Sequence, residues 1–92
     1  MTIQKKFDLT GKTAIVTGGS GLLGAEFSRT LAEAGANVVV ADIAEDAAQK
    51  TASGLADAGF HAASFGLDVT RPESAAAMVA ETLSQFGSLD IL

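Results

Sequence analysis

The sequence predicts an α/β fold in which a parallel sheet carries helices on both faces. Three observations predict this class. Short apolar runs of strand length alternate with longer segments of helical periodicity, a glycine follows each helical segment, and the connections are only a few residues long. The resulting order is β-α-β-α-β-α-β, in which right-handed crossovers make the strands parallel.

Four segments are predicted strands. Thr13–Thr17 is short, apolar and rich in β-forming residues, and Asn37–Asp42 reads NVVVAD, a buried parallel strand that ends in an acid. His61–Val69 has a weaker strand pattern, because Gly66 interrupts it. Leu89–Leu92 reads LDIL and is predicted to begin the fourth strand.

Three helices are predicted between these strands. Gly35, Gly59 and Gly87 follow the helical segments as expected C-terminal stops. The segment TRPE at residues 70–73 has the pattern of a capping box, with proline in the first turn of the third helix. The residues predicted to form the buried helical stripes are Leu23, Phe27, Leu31 and Ala34, then Ala47, Thr51, Leu55 and Ala58, then Val79, Leu83 and Phe86.

Length and composition limit the possible functions. The 92 residues support one small domain or a piece of a larger one, with a tail at residues 1–8 and a folded unit at residues 9–92. The net charge of −5 argues against a nucleic-acid or anionic-membrane partner, because both need clustered Lys and Arg. The absence of cysteine excludes disulfides and thiolate metal sites, and it suits a cytoplasmic protein. No apolar run approaches a membrane span, and Met1–Asp8 lacks the hydrophobic stretch of a signal peptide.

A glycine-rich loop is the strongest functional motif. Thr17–Gly24 reads TGGSGLLG and lies between a predicted strand and a predicted helix. Gly19, Gly21 and Gly24 satisfy G-x-G-x-x-G, and Gly18 replaces Gly19 in the alternative T-G-x-x-G-x-x-G register. Glycines allow a sharp turn and a close backbone approach, and the free amides of a helix N-terminus attract anions. We therefore expect a nucleotide pyrophosphate here; the alternative is a plain β-α turn.

Asp42 is the second candidate binding residue. It ends the second strand, where a carboxylate accepts hydrogen bonds from an adenosine ribose diol and repels a 2′-phosphate. No Lys or Arg lies between Thr13 and Ser28, and Ile43 follows Asp42, so no cation near the loop would bind such a phosphate. These features favour NAD over NADP; the alternative is an ordinary solvated Asp at a strand end.

The end of the third strand contributes the remaining candidates. Ligands of open α/β sheets bind outside the carboxyl ends of the strands. Asp68 is placed to accept a hydrogen bond from the adenine amino group, with Val69 packing on the ring; alternatively, Asp68 assists the helix start at Thr70. Ser20 offers its amide or hydroxyl to phosphate, or is a simple turn residue. His61, the single histidine, begins a strand at the opposite edge and is predicted to be solvated or packed.

Four segments together resemble the short-chain dehydrogenase/reductase family. They are LTGKTAIVTGGSGLLG (Leu9–Gly24), LAEAGANVVVADI (Leu31–Ile43), LDVTRPES (Leu67–Ser74) and FGSLDIL (Phe86–Leu92). The resemblance implies the dinucleotide-binding half of a Rossmann-type domain with strand order 3-2-1-4. It implies cofactor contacts from Gly18, Ser20, Leu23, Asp42, Ile43, Asp68 and Val69. The other loop residues of the expected site are Gly19, Gly21, Leu22 and Gly24.

The sequence departs from the family pattern in two ways. The middle glycine of the reductase-type branch would fall at Leu22, whereas here it stands at Gly21, as in the extended epimerase and dehydratase branch. The family also implies an Asn-Asn-Ala-Gly segment and a catalytic Ser, Tyr and Lys, but this sequence contains no tyrosine and ends at Leu92. We therefore expect no catalytic residue here and no activity from these residues alone.

A non-catalytic alternative is a self-associating Rossmann fragment. If the strand order is 3-2-1-4, the last strand exposes its edge, and exposed apolar edges pair with other chains. We therefore expect a homo-oligomer formed through Leu89–Leu92 or the flanking helices. The sequence indicates no particular substrate.

Overall fold

Strands and helices alternate along the whole part of the chain that the structure describes. The computed structural model describes residues 8–18, 21–68, 70–87 and 89. The elements are β1 (Thr13–Thr17), α1 (Leu22–Glu33), β2 (Asn37–Asp42), α2 (Glu45–Asp57), β3 (Ala62–Gly66) and α3 (Pro72–Phe86). This alternation confirms the predicted α/β class, and β1 and β2 have the predicted bounds.

The sheet is parallel, and β2 lies in its middle. Ile15 of β1 pairs with Val39 of β2, which pairs in turn with Ala63 of β3. Branched side chains suit such strands because they pack well on a pleated surface that is covered on both faces. The same register aligns the carboxyl ends of all three strands at one edge of the sheet.

The predicted four-stranded order 3-2-1-4 does not match the described sheet, which has three strands in the order 3-2-1. Leu89 lies outside any strand and packs against the apolar core next to α3. Residues 90–92 of the predicted fourth strand lie outside the described residues. β3 is also shorter than predicted, because its pairing with β2 ends at Gly66. Beyond that end, the amide of Leu67 still donates to the Asp42 carbonyl at 2.9 Å.

The two faces of the sheet are covered by different helices. Side chains alternate along β2, so that Val38 and Val40 face one way while Val39 and Ala41 face the other. The first face is covered by α1 and α2, and its buried residues are Ala32, Ala36, Val38, Val40, Ala48, Ala52 and Leu55. The second face is covered by α3, and its buried residues are Ile15, Val39, Ala41, Leu67 and Met78. Helices on both faces confirm the predicted layering.

The predicted helical stripes match the buried residues only in part: Leu31 of α1 and Phe86 of α3 pack against the core, but other stripe residues lie one position away from a buried neighbour. In α1, Phe27 is 57% exposed while Ser28 is fully buried, and in α3, Leu83 is 46% exposed while Thr82 is buried. Small side chains face the sheet because they let the helices approach it closely. The buried hydroxyls of Ser28 and Thr82 cost little, since each donates to the carbonyl four residues earlier at 2.8 Å.

The second helix shows the same shift by one position. Ala48 and Ala52 are buried, whereas the predicted Ala47 and Thr51 are half-buried. Leu55 is buried as predicted, and Ala58 is exposed beyond the end of α2. The side of α2 that faces the sheet therefore consists of alanine methyl groups and one larger side chain, Leu55.

The predicted helix stops are confirmed, but the predicted capping box is wrong. Gly35, Gly59 and Gly87 have φ values of 102°, 94° and 80°, a conformation that ends helices and that glycine adopts without strain. The N-cap of α3 is Arg71, without a side-chain capping bond. The Thr70 side chain lies one position before this N-cap, and its hydroxyl donates to Asp68 Oδ1.

Candidate functional site

A cavity of about 220 Å³ opens at the carboxyl edge of the sheet. It is smaller than the roughly 300 Å³ at which small-molecule pockets begin, so it suits one part of a larger ligand. The register explains its position, because Thr17 pairs with Ala41 and Asp42 pairs with Gly66. The residues that line the cavity are Thr17, Gly18, Ala41, Asp42, Ile43, Leu67, Asp68 and Thr70.

The glycine loop leaves β1 through a residue that must be glycine. Gly18 has a φ of 66°, a left-handed conformation that costs other residues about 1–2 kcal/mol. Its carbonyl accepts a hydrogen bond from the Gly21 amide at 3.2 Å, which closes the turn. The predicted phosphate contacts Gly19 and Ser20 lie outside the described residues.

The start of α1 has the features of an anion site. Its N-cap, Gly21, makes no side-chain capping bond, and the first turn contains no acidic residue. By contrast, α2 and α3 have acidic side chains in their first turns, at Glu45, Asp46 and Glu73. No acidic side chain in the first turn of α1 therefore opposes the positive end of its dipole, a charge distribution that favours anions.

Gly21 is a glycine that the protein's own packing does not require. Its φ is −70°, which any residue adopts. A Cβ added to it would lie 3.6 Å from the Gly18 carbonyl oxygen, an ordinary van der Waals contact. Leu22 and Leu23 are the first two residues of α1, and Gly24 follows them, with its carbonyl bonded to Ser28. Glycine at position 21 serves the N-cap of α1, where it is favoured over alanine, and it also leaves the backbone open to close approach by a ligand.

Asp42 and Ile43 form the side of the cavity at the end of β2. One carboxylate oxygen of Asp42 accepts a hydrogen bond from the Ala44 amide at 3.1 Å, which orients the side chain. Ile43 is 73% exposed although it is a large apolar residue, and it lines the cavity. An oriented carboxylate beside an exposed apolar side chain suits a sugar hydroxyl next to a flat ring.

Asp68 lines the cavity two residues beyond β3. Its Oδ1 accepts two hydrogen bonds from Thr70, from the hydroxyl at 2.6 Å and from the amide at 2.9 Å. The Thr70 hydroxyl, and then the Thr70 amide, lower the pKa of the Asp68 carboxyl below its ordinary value. The predicted interaction between Asp68 and Thr70 is therefore present, and it is compatible with a ligand at the other oxygen. Val69 lies outside the described residues.

The cavity brings together four of the predicted residues, Gly18, Asp42, Ile43 and Asp68. The sequence reasoning missed four others, Thr17, Ala41, Leu67 and Thr70. Thr17 is the last residue of β1, Ala41 is the last but one of β2, and the other two follow β3 closely. The strand-end rule that selected Asp42 and Asp68 would also have found these neighbours.

Within residues 8–18, 21–68, 70–87 and 89, no group of three His, Cys, Asp or Glu side chains is arranged to hold a metal ion. No helix in this part of the chain has both the length and the hydropathy to cross a membrane. His61 precedes β3 at the opposite edge of the sheet from the cavity and is exposed.

Comparisons with known proteins agree with this fold and identify a family. The short chain dehydrogenase family matches residues 12–92. A short chain dehydrogenase/reductase from Aspergillus oryzae is 46% identical over 89 residues, which are 96% of this chain and 34% of that protein. The chain therefore spans about a third of the length of this relative.

Two solved structures share the fold. A 7α-hydroxysteroid dehydrogenase in complex with NADH and 7-oxo-glycochenodeoxycholic acid matches with a TM-score of 0.90 and 34% identity, over 99% of this chain and 36% of its own. A proposed D-mannonate oxidoreductase from Haemophilus influenza, with bound NAD, matches with a TM-score of 0.89 and 26% identity, over 98% of this chain and 32% of its own. Both neighbours thus bind a nicotinamide dinucleotide.

Proposed function

We propose that this chain, which belongs to the short chain dehydrogenase family, forms the part of an NAD-dependent oxidoreductase that holds the adenosine and pyrophosphate of the cofactor. One observation carries the proposal. The cavity at the carboxyl edge joins Gly18 of the glycine loop to the carboxylates of Asp42 and Asp68. Phosphate, ribose and adenine each find a chemically suited group along this edge.

The pyrophosphate would lie at the glycine loop and the start of α1. Gly18 and Gly21 allow the backbone to approach it, and Gly19, Ser20 and the amides at Leu22, Leu23 and Gly24 would donate to it. The uncompensated positive end of α1 supports this assignment. No side-chain cation is needed for such a site, because the amides and the helix dipole supply the positive field.

Asp42 would accept hydrogen bonds from the ribose diol, and this role favours NAD over NADP. A 2′-phosphate placed beside the carboxylate would be repelled. Arg71 is close in sequence to the cavity residues Asp68 and Thr70, but it pairs with Glu73 at 2.9 Å. Compensation for a 2′-phosphate by this arginine would require that ion pair to break.

The adenine ring would lie between Ile43 and the end of β3. Ile43 offers exposed apolar surface, Val69 would pack on the ring, and Asp68 would accept a hydrogen bond from the adenine amino group. When it is bound, the nicotinamide supplies hydride transfer. The residues of this chain bind and orient the other half of the cofactor.

The substrate class is proposed only coarsely. The two structural neighbours are named for a hydroxysteroid and for D-mannonate, which share hydroxyl-bearing carbon and little else. We therefore propose interconversion of an alcohol and a carbonyl compound by the whole protein. The glycine register at Gly21 keeps a nucleotide-sugar epimerase or dehydratase as the runner-up. We also propose a cytoplasmic location, with which the absence of cysteine is compatible.

Titration of the chain with NAD and NADP by calorimetry tests the cofactor proposal. We expect saturable binding, tighter for NAD. Asp42→Ala should weaken the affinity for NAD by about tenfold or more, because hydrogen bonds to a charged group contribute about 1.5–3 kcal/mol. The same variant should reduce the preference of the chain for NAD over NADP. Asp57→Ala, which removes the same charge from the end of α2, is the matched control and should bind like the parent chain.

Two results would contradict this proposal. Absence of saturable binding at millimolar NAD would remove the binding function. An unchanged preference for NAD over NADP in Asp42→Ala would remove the role of Asp42.

We propose self-association as a second property, because specific surfaces favour it. Within the described residues β1 pairs on one side only, and α3 exposes 46% of Leu83. Sedimentation at rising concentration should show a dimer or larger assembly, and Leu83→Lys should shift it toward monomer. A monodisperse monomer at high concentration would refute self-association without affecting cofactor binding.

A further inference from the structure

We propose that Thr70 is a positioning residue that makes the cavity selective for a 6-aminopurine by holding the carboxylate of Asp68. This inference rests on the proposed function and goes beyond it, because it concerns which purine is accepted and which residue decides that. Thr70 itself is exposed and lines the cavity.

Both hydrogen bonds from Thr70 converge on one oxygen. The Thr70 hydroxyl donates to Asp68 Oδ1 at 2.6 Å, and the Thr70 amide donates to the same atom at 2.9 Å. Two donors on one oxygen prevent the carboxylate from rotating freely. Among the described residues, Oδ2 is therefore the Asp68 oxygen left for a ligand.

The backbone of Asp68 is held as well. Its amide donates to the Ser74 hydroxyl oxygen at 3.1 Å, and the Ser74 amide donates to the Arg71 carbonyl at 3.0 Å. Ser74 belongs to the first turn of α3, so that helix anchors the main chain while Thr70 anchors the side chain. The position of Oδ2 is thus defined before any ligand binds.

A fixed carboxylate oxygen discriminates between purines by hydrogen-bond polarity. An ionised carboxylate is an acceptor only, so it pairs with the 6-amino group of adenine. The 6-oxo group of hypoxanthine is also an acceptor, and two acceptors facing each other repel. The bonds from Thr70 also lower the pKa of Asp68, which preserves the acceptor-only form at mildly acidic pH.

The chain contains a second copy of this turn in another place. Asp8 Oδ1 accepts from the Thr10 amide at 2.9 Å and from the Thr10 hydroxyl at 2.5 Å. That turn lies beside the end of α1, because the Leu9 amide donates to the Ala34 carbonyl at 2.7 Å. It is therefore at the opposite edge of the sheet from the cavity. The Asp-x-Thr turn alone is structural; its placement at the cavity makes Thr70 selective.

The test compares NAD with nicotinamide hypoxanthine dinucleotide, which differs at purine position 6. Calorimetric titration of the parent chain should give a preference for NAD of about tenfold or more. Thr70→Val keeps the amide bond and the side-chain size but removes the hydroxyl bond. Thr70→Val should reduce the preference for NAD to about threefold or less, mainly by weakening the affinity for NAD. Thr70→Ser should restore the preference, and Thr10→Val should leave it unchanged.

An unchanged preference in Thr70→Val would overturn the proposal. If neither dinucleotide binds, the proposed cofactor function fails, and a ligand-free measurement still decides the positioning role. In an NMR titration, Thr70→Val should raise the pKa of Asp68, while Thr10→Val should raise that of Asp8 and leave Asp68 unchanged. An Asp68 pKa that does not respond to Thr70→Val would overturn the positioning role whether or not a ligand binds.

Discussion

At the scale of single residues, two positions of the same loop are glycine for different physical reasons. Gly18 has positive φ, so the backbone conformation itself requires glycine. Gly21 has ordinary φ and room for a Cβ, so neither conformation nor packing among the described residues requires it. A motif written only as glycines conceals this difference, because it records composition and not backbone geometry.

Alanine at these two positions should separate folding from binding. Gly18→Ala should lower the free energy of unfolding by about 1–2 kcal/mol, the cost of the left-handed conformation. Gly21→Ala should change the free energy of unfolding by less than about 1 kcal/mol, because two effects oppose each other. Alanine is a weaker N-cap, which destabilises the fold, but it also restricts the unfolded chain, which stabilises the fold. Gly21→Ala should nevertheless weaken the affinity for NAD by about tenfold, or about 1.4 kcal/mol. Urea unfolding and calorimetry measure the two quantities.

The reverse pattern would contradict this assignment. If Gly21→Ala destabilises the chain as much as Gly18→Ala does and binds NAD normally, glycine at position 21 serves the fold.

At the scale of elements, strands were predicted better than helix faces. The apolar runs of β1 and β2 are short and buried on both sides, so their bounds follow from local sequence. The helices bury Ser28, Ala52 and Thr82 in place of larger neighbours. Hydrophobicity alone favours the larger residue, whereas close approach of helix to sheet favours the smaller one.

Enlarging one of the small buried residues should test this explanation. Ala52 is 5% exposed and faces the sheet from α2. Ala52→Leu should lower the free energy of unfolding by about 1–3 kcal/mol, because the added atoms do not fit the packed layer. Ala56→Leu, on the exposed side of the same helix, is the control and should change stability by less than about 0.5 kcal/mol. Equal urea midpoints for the two variants would show that the helix does not pack closely at Ala52.

At the scale of the whole molecule, exposed carboxylates link stability to pH. The Thr10 hydroxyl and amide lower the pKa of Asp8, and those of Thr70 lower that of Asp68. For Glu73, its own backbone amide and then the Arg71 side chain lower the pKa. A lowered pKa in the folded state means that folding favours the ionised form. The stabilisation is therefore present above the ordinary pKa values and is lost as pH falls through the lowered ones.

Urea unfolding between pH 6 and pH 2 should show this dependence. The free energy of unfolding should fall once pH drops below about 4, near the ordinary carboxyl pKa values. Asp8→Asn, remote from the cavity, should remove part of the slope. Stability that stays level or rises as the pH falls would contradict the assignment of these pKa shifts.

The sequence by itself determined the α/β order, the bounds of β1 and β2, the glycine helix stops and the position of the glycine loop, because each depends on residues close together in the chain. Only the tertiary structure decided the three-stranded 3-2-1 order of the described sheet and the helix faces. It also decided that Thr17, Ala41 and Leu67 line the same cavity as Asp42 and Asp68. These features depend on strand register and close packing, which bring together side chains that are distant in the sequence.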